Sequence, residues 1–85
     1  MRSFTYTIQS HLGIHARPAG QLIKLAKQFQ SKIVLSRNGQ EVDCRKLIAL
    51  MGLNVVCGDI VEVSAEGIDE EQSIVALQDF FQKSL

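Results

Sequence analysis

With 85 residues, of which 46% are hydrophobic and 21% charged, this chain can build one core only, and at that length folding buries roughly 60–65% of the surface the unfolded chain exposes. No apolar run approaches the ~20 residues of a membrane span, and the opening Met1-Arg2-Ser3-Phe4 lacks the apolar block of an export signal, so a single cytoplasmic domain over residues 1–85 is expected, acting as a monomer without membrane insertion. A formal net charge of zero, with no aromatic residues interleaved among the basic ones, argues against nucleic acid as a partner.

The first element reads as a half-buried strand over residues 2 to 8, because Phe4, Tyr6 and Ile8 alternate with Ser3, Thr5 and Thr7. The period then changes. From Ala16 to about Gln28, Ala19, Leu22, Ile23 and Ala26 fall on one helical face, and Phe29 closes the core beyond it. Pro18 suits the first turn of that helix, where its missing N–H would have had no intrahelical partner.

A strand at Ile33 to Arg37 meets Asn38-Gly39, the strongest short-range hairpin signal, and returns through Gln40 to Cys44 as its antiparallel partner. Lys46 to Gly52 predicts a short helix of two turns. It carries Leu47, Ile48, Leu50 and Met51, more large apolar side chains than such a helix can bury on one side, so some should face outward and meet a partner. Ile60 to Ala65 follows as a strand with Val61, Val63 and Ala65 on one face. Asp69 with Gln72 three residues on has the spacing of a capping box, opening a last helix whose apolar stripe is Ile74, Leu77, Phe80 and Phe81 and whose Lys83 suits the C-terminal end of the dipole.

The order βαββαβα implies an α+β fold with helices on one face of a four-stranded antiparallel sheet. A ferredoxin-like sandwich begins with the same alternation, and periodicity alone does not separate the two.

The chemistry concentrates at Gly13-Ile14-His15-Ala16-Arg17-Pro18-Ala19. With the helix starting near Ala16, His15 stands at the N-cap, where the free N–H groups of the first turn and the positive end of the helix dipole converge. Gly13 can take a positive φ that bends the chain sharply and lifts the imidazole toward solvent. A phosphoryl group on His15 would meet the amides of Ala16 and Arg17, and the Arg17 guanidinium can bind its oxygens bidentately.

This segment resembles the phosphorylation-site signature of HPr, the histidine-containing phosphocarrier of the bacterial sugar phosphotransferase system. The similarity runs along nearly the whole chain: Ala26-Lys27-Gln28-Phe29, Ile33-Val34-Leu35 before Asn38-Gly39, Val42, the segment Leu47 to Leu53, and Ala65-Glu66-Gly67 with Asp69-Glu70-Glu71 fall at the family's usual offsets. The resemblance implies an open-faced β-sandwich with three helices on one face of a four-stranded sheet. It implies a carrier, with no cofactor, whose His15 accepts a phosphoryl group from Enzyme I and passes it to Enzyme IIA domains, with Arg17 assisting. It further implies a docking face made of Gly20, Lys24, Lys27, Lys46, Leu47, Ile48 and Met51. A regulatory binding module of the same fold, serving a nitrogen-related or orphan system, is the alternative.

Two departures stand out. In many HPr proteins of Gram-positive bacteria a regulatory serine opens the short helix; here it is Lys46, which takes no phosphate through a hydroxyl. Leu12 replaces a frequent small polar residue beside the site and so bears on partner choice. Charge is also segregated: up to Gly58 there are eight Lys or Arg against two acids, and from Asp59 one Lys against seven, so Arg17, Lys24, Lys27, Arg45 and Lys46 should draw acidic partner surfaces. No metal is expected, because Gly13 and the helix start break the His11–His15 spacing and no acidic or Cys cluster accompanies it. Cys44 and Cys57 are expected as reduced thiols, and neither has an adjacent His to make it a nucleophile.

Overall fold

A computed structural model describes residues 1–85. In chain order the elements are β1 (Arg2–Thr7), α1 (Ala16–Ala26), β2 (Lys32–Arg37), β3 (Gln40–Asp43), α2 (Leu47–Gly52), β4 (Ile60–Glu66) and α3 (Glu70–Ser84). The strands form one antiparallel sheet in the order β1-β4-β2-β3. Arg2 faces Ala65 across β1 and β4, Ile33 also faces Ala65 from β2, and Arg37 faces Gln40 across the hairpin. Asn38 and Gly39 both have positive φ, 52° and 82°, as the type I′ turn requires.

The three helices lie on one face of the open sheet, as the alternation demands. Ile33, Leu35, Val61, Val63 and Ala65 are buried beneath them, whereas Ser3, Thr5, Thr7 and Glu62 on the other face are exposed. Phe81 of α3 is fully buried and packs edge-to-face on Phe4 and Tyr6 of β1, with ring centroids 5.7 and 5.6 Å away. Burial of one such ring contributes roughly 1.5–3 kcal/mol, which makes α3 the main cover over the β1 side of the sheet. Phe80, expected on the same stripe, is only half-buried and packs on Phe81 at 6.0 Å.

Two local expectations are corrected. Helix α1 ends at Ala26 rather than Gln28, because the amides of Gln28 and Phe29 turn to Leu25 and Ala26 and tighten the chain into i→i−3 bonds. Arg45 then satisfies the freed Phe29 carbonyl from its Nη2 at 2.8 Å. At α3 the capping box does not form: Asp69 is the N-cap but makes no cap bond with its side chain. Its carboxylate instead accepts from the amides of Gln30 and Ser31 at 2.8 and 2.9 Å and from the hydroxyl of the buried Ser31. The Ser31 and Gln30 bonds hold the Asp69 carboxyl below its usual range, so this tie stabilises the fold above the ordinary aspartate range and is lost as pH falls through the folded value.

Candidate functional site

The backbone before His15 is fixed by close approach. Gly13 adopts φ +64° and is buried, and a Cβ there would overlap the Val55 carbonyl oxygen and come within 2.8 Å of Val56 Cα. Ile14 donates its amide to the Val55 carbonyl at 3.2 Å and buries its side chain. The chain thus leans on the loop between α2 and β4, turns at Gly13 as the sequence implied, and delivers His15 to the N-cap of α1.

His15 has an extended backbone, φ −100° and ψ −178°, and its carbonyl accepts from Ala19 at 2.9 Å. Its side chain makes no cap bond, so the ring is not consumed in holding the helix. The amides of Ala16 and Arg17 have no partner within the chain, while Pro18 has none to offer; Pro18 and Ala19 are buried and pin the helix start. His15 is half-exposed and Arg17 exposed, and Arg17 forms no hydrogen bond or ion pair in the chain. A half-exposed imidazole, two unpaired amides and a free guanidinium at one helix end can receive a dianionic phosphoryl group.

The remaining expected residues fall on the adjoining surface. Arg17, Gly20, Gln21, Lys24 and Lys27 form one exposed stripe along α1, bordering a shallow groove that also includes Ile23. A Cβ at Gly20 would meet nothing within 4 Å, so no intrachain packing asks for glycine in this helix interior, where it costs about 1 kcal/mol relative to alanine. On α2, which packs beside α1, Ile48 is 84% and Leu47 45% exposed, whereas Leu50 is buried and Met51 is half-buried against the core. Lys46 is the exposed N-cap of α2, without a side-chain cap bond. Leu12 is 72% exposed in the loop before Gly13.

Burial, with Asp43 beside it, pushes the Cys44 thiol up to about 12, whereas Cys57 lies exposed with its Sγ against the Gln9 carbonyl. Sequence reasoning missed the loop 53–59, whose backbone supports Gly13 and Ile14. Its signals were Asn54 and Gly58, which adopt φ +54° and +92°.

A family profile described as the PTS HPr component phosphorylation site matches residues 2–83. Among solved structures, the chain is similar to an HPr from Thermoanaerobacter tengcongensis, with 36% identity, 98% of this chain and 93% of that one covered, and a TM-score of 0.93. A histidine-containing phosphocarrier protein from Mycoplasma has 28% identity over 98% of this chain and 94% of that one, with a TM-score of 0.94. The Bacillus subtilis catabolite repression protein Crh, seen as a swapped dimer, has 29% identity over 94% of this chain and 92% of that one, with a TM-score of 0.78.

Proposed function

The chain belongs to the HPr family of phosphocarrier domains, and on that premise we propose that it carries a phosphoryl group on His15 from Enzyme I to Enzyme IIA components for sugar uptake. The observation that carries this reading is a His15 ring left uncommitted at a helix start whose first two amides are unpaired. Nδ1, the ring nitrogen nearer the backbone, is the acceptor in this reading. In uptake its lone pair attacks phosphorus while the bond from phosphorus to the donor breaks, the ring proton staying on Nε2. Release to Enzyme IIA is the reverse substitution, with a group on that protein taking the phosphoryl.

Arg17 and the amides of Ala16 and Arg17 offset the charge that arrives with the phosphoryl group. Arg17→Ala should slow uptake roughly tenfold, the worth of one charge-assisted bond to phosphate, while the melting temperature stays nearly unchanged because the side chain is exposed and unpaired. Stopped transfer assays beside a thermal melt separate the two roles.

The α1 stripe and the exposed Leu47 and Ile48 of α2 make the docking face in this reading. Ile48→Glu should weaken Enzyme I binding by roughly tenfold or more, since its carboxylate must be desolvated at an apolar centre, and leave folding intact. Lys46→Glu should instead lower the association rate, most at low salt. Titration calorimetry and stopped flow read the two effects, and wild-type values for both variants would move the docking face elsewhere.

The experiment that tests the function supplies phosphoenolpyruvate and Enzyme I, follows phosphohistidine by phosphorus NMR, and then adds an Enzyme IIA domain. Loading followed by discharge supports the relay. The similarity to Crh favours a second reading, a cytoplasmic regulatory module that docks partners without feeding sugar uptake; loading without discharge to any Enzyme IIA domain supports that one. The carrier acts as a monomer of 9.4 kDa in the first reading.

A further inference from the structure

Arg37 stands at the end of β2, beside the hairpin turn, and its guanidinium reaches back across the molecule to both ends of the loop between α2 and β4. Nη1 donates to the Leu53 carbonyl at 2.8 Å, one of the carbonyls that the end of α2 leaves without an intrahelical partner. Nε lies 2.9 Å from Asp59 Oδ2, an ion pair whose side chains are only 24% and 23% exposed. The same Asp59 oxygen accepts the Val56 amide at 2.9 Å. One side chain therefore ties residue 53 to residue 59 and, through Asp59, fixes Val56 between them.

That loop is the seat of the site. Val55 offers its carbonyl to Ile14, and Val55 and Val56 form the surface against which Gly13 turns. Farther back, Gly58 donates to the Ile8 carbonyl at 2.7 Å and Ile8 donates to the Asp59 carbonyl at 2.9 Å. The segment leading to His15 is thus gripped at Ile8 and again at Gly13–Ile14 by one loop. The loop turns at Asn54, in the left-handed region at φ +54°, which asparagine adopts more readily than other non-glycine residues.

We propose that Arg37 is a positioning residue for His15, acting through Asp59 and the 53–59 loop and touching neither the imidazole nor a bound phosphoryl group. The inference rests on the phosphocarrier reading for its kinetic consequence, and on geometry alone for its structural one. A ring whose backbone support loosens spends less time in line with the incoming phosphorus, and small misplacements of a reacting group cost one to two orders of magnitude in rate. Arg37 touches α2 only at its C-terminal end, at Leu53, whereas the exposed Leu47 and Ile48 stand in its first turn and the stripe on α1 makes no hydrogen bond to Arg37, so encounter with the donor is preserved.

The test uses the full chain with Arg37→Ala, Arg37→Lys, Asp59→Ala and the Arg37→Ala/Asp59→Ala pair. With Enzyme I and phosphoenolpyruvate, Arg37→Ala should lower kcat about tenfold while KM stays within about twofold, and the Ile14 amide and His15 ring signals should shift in NMR spectra. Arg37→Lys, which can keep the Asp59 ion pair but not both contacts, should lose less. The double variant should be no slower than the slower single one, because both act through one loop. A folded Arg37→Ala protein with wild-type kcat and unmoved Ile14 and His15 signals overturns the proposal, as does an effect confined to KM. If the wild-type chain takes up no phosphate, the phosphocarrier reading fails, and the NMR signals alone then decide the positioning. Should Arg37→Ala not fold, Arg37→Lys is read in its place against the same outcomes.

Discussion

Replacing His15 by alanine is expected to bring phosphoryl uptake down by roughly 10³-fold or more, to background, without unfolding the protein. The two halves of this expectation come from different observations. Uptake fails because no other nitrogen nucleophile stands at the start of α1: His11 lies exposed in the loop on the far side of the Gly13 turn. Stability persists because the His15 side chain makes no cap bond, so alanine removes no hydrogen bond from the helix end. Acid-labile phosphate on the variant after incubation with Enzyme I and phosphoenolpyruvate would reassign the acceptor. A loss of melting temperature comparable to a core truncation would show that the ring holds the fold as well as the phosphate.

Gly13→Ala should be the most damaging single-methyl change near the site. A non-glycine residue in the left-handed region costs about 1–2 kcal/mol, and the new Cβ must also displace backbone atoms of Val55 and Val56, which cannot rotate away as a flexible side chain could. Together these amount to about 2–4 kcal/mol, or a fall of roughly 10 °C or more in melting temperature for a domain of this size. Gly39→Ala is the matched control. Gly39 also has positive φ, at +82°, yet nothing lies within 4 Å of its would-be Cβ, so it should lose only the conformational part. Equal melting temperatures for the two variants, read by calorimetry, would remove the close approach from the account. Because the loop must move to admit the methyl group, Gly13→Ala should also slow phosphoryl uptake, whereas Gly39→Ala should not.

Much of this architecture was legible in the chain because it is written in short-range signals. Pro18 and the apolar spacing after it put the helix start at Ala16, hence His15 at its N-cap; Asn38-Gly39 placed the hairpin; alternation at Phe4, Tyr6 and Ile8 gave β1 and its buried face. The excess of apolar residues on α2 correctly implied outward-facing ones, Leu47 and Ile48, though Leu50 turned inward. What escaped notice has partners far apart in sequence and no period. Asp69 has the composition of a cap, but its carboxylate is used by Gln30 and Ser31, almost forty residues earlier. Arg37 entered the sequence reading only as the last residue of a strand, and only the fold brings Leu53 and Asp59 to it. Local chemistry announces where a helix begins; it does not announce which loop will hold it there.

The sheet order has a consequence in time as well as in space. β1 is an edge strand whose only neighbour is β4, so Arg2 waits for Ala65 and Thr7 for Ile60. On a ribosome adding about 5–20 residues per second, the first strand to emerge is unpaired for several seconds, and the Phe81 ring that covers Phe4 and Tyr6 is made later still. The hairpin of β2 and β3 can close early, since its turn is two residues long; β4 must then insert between β1 and β2 before any stable sheet exists. Nascent chains stalled before β4 should therefore be the species that chaperones and proteases meet, and assembly of the end that carries His15, which leans on the loop just ahead of β4, should be among the late events of folding.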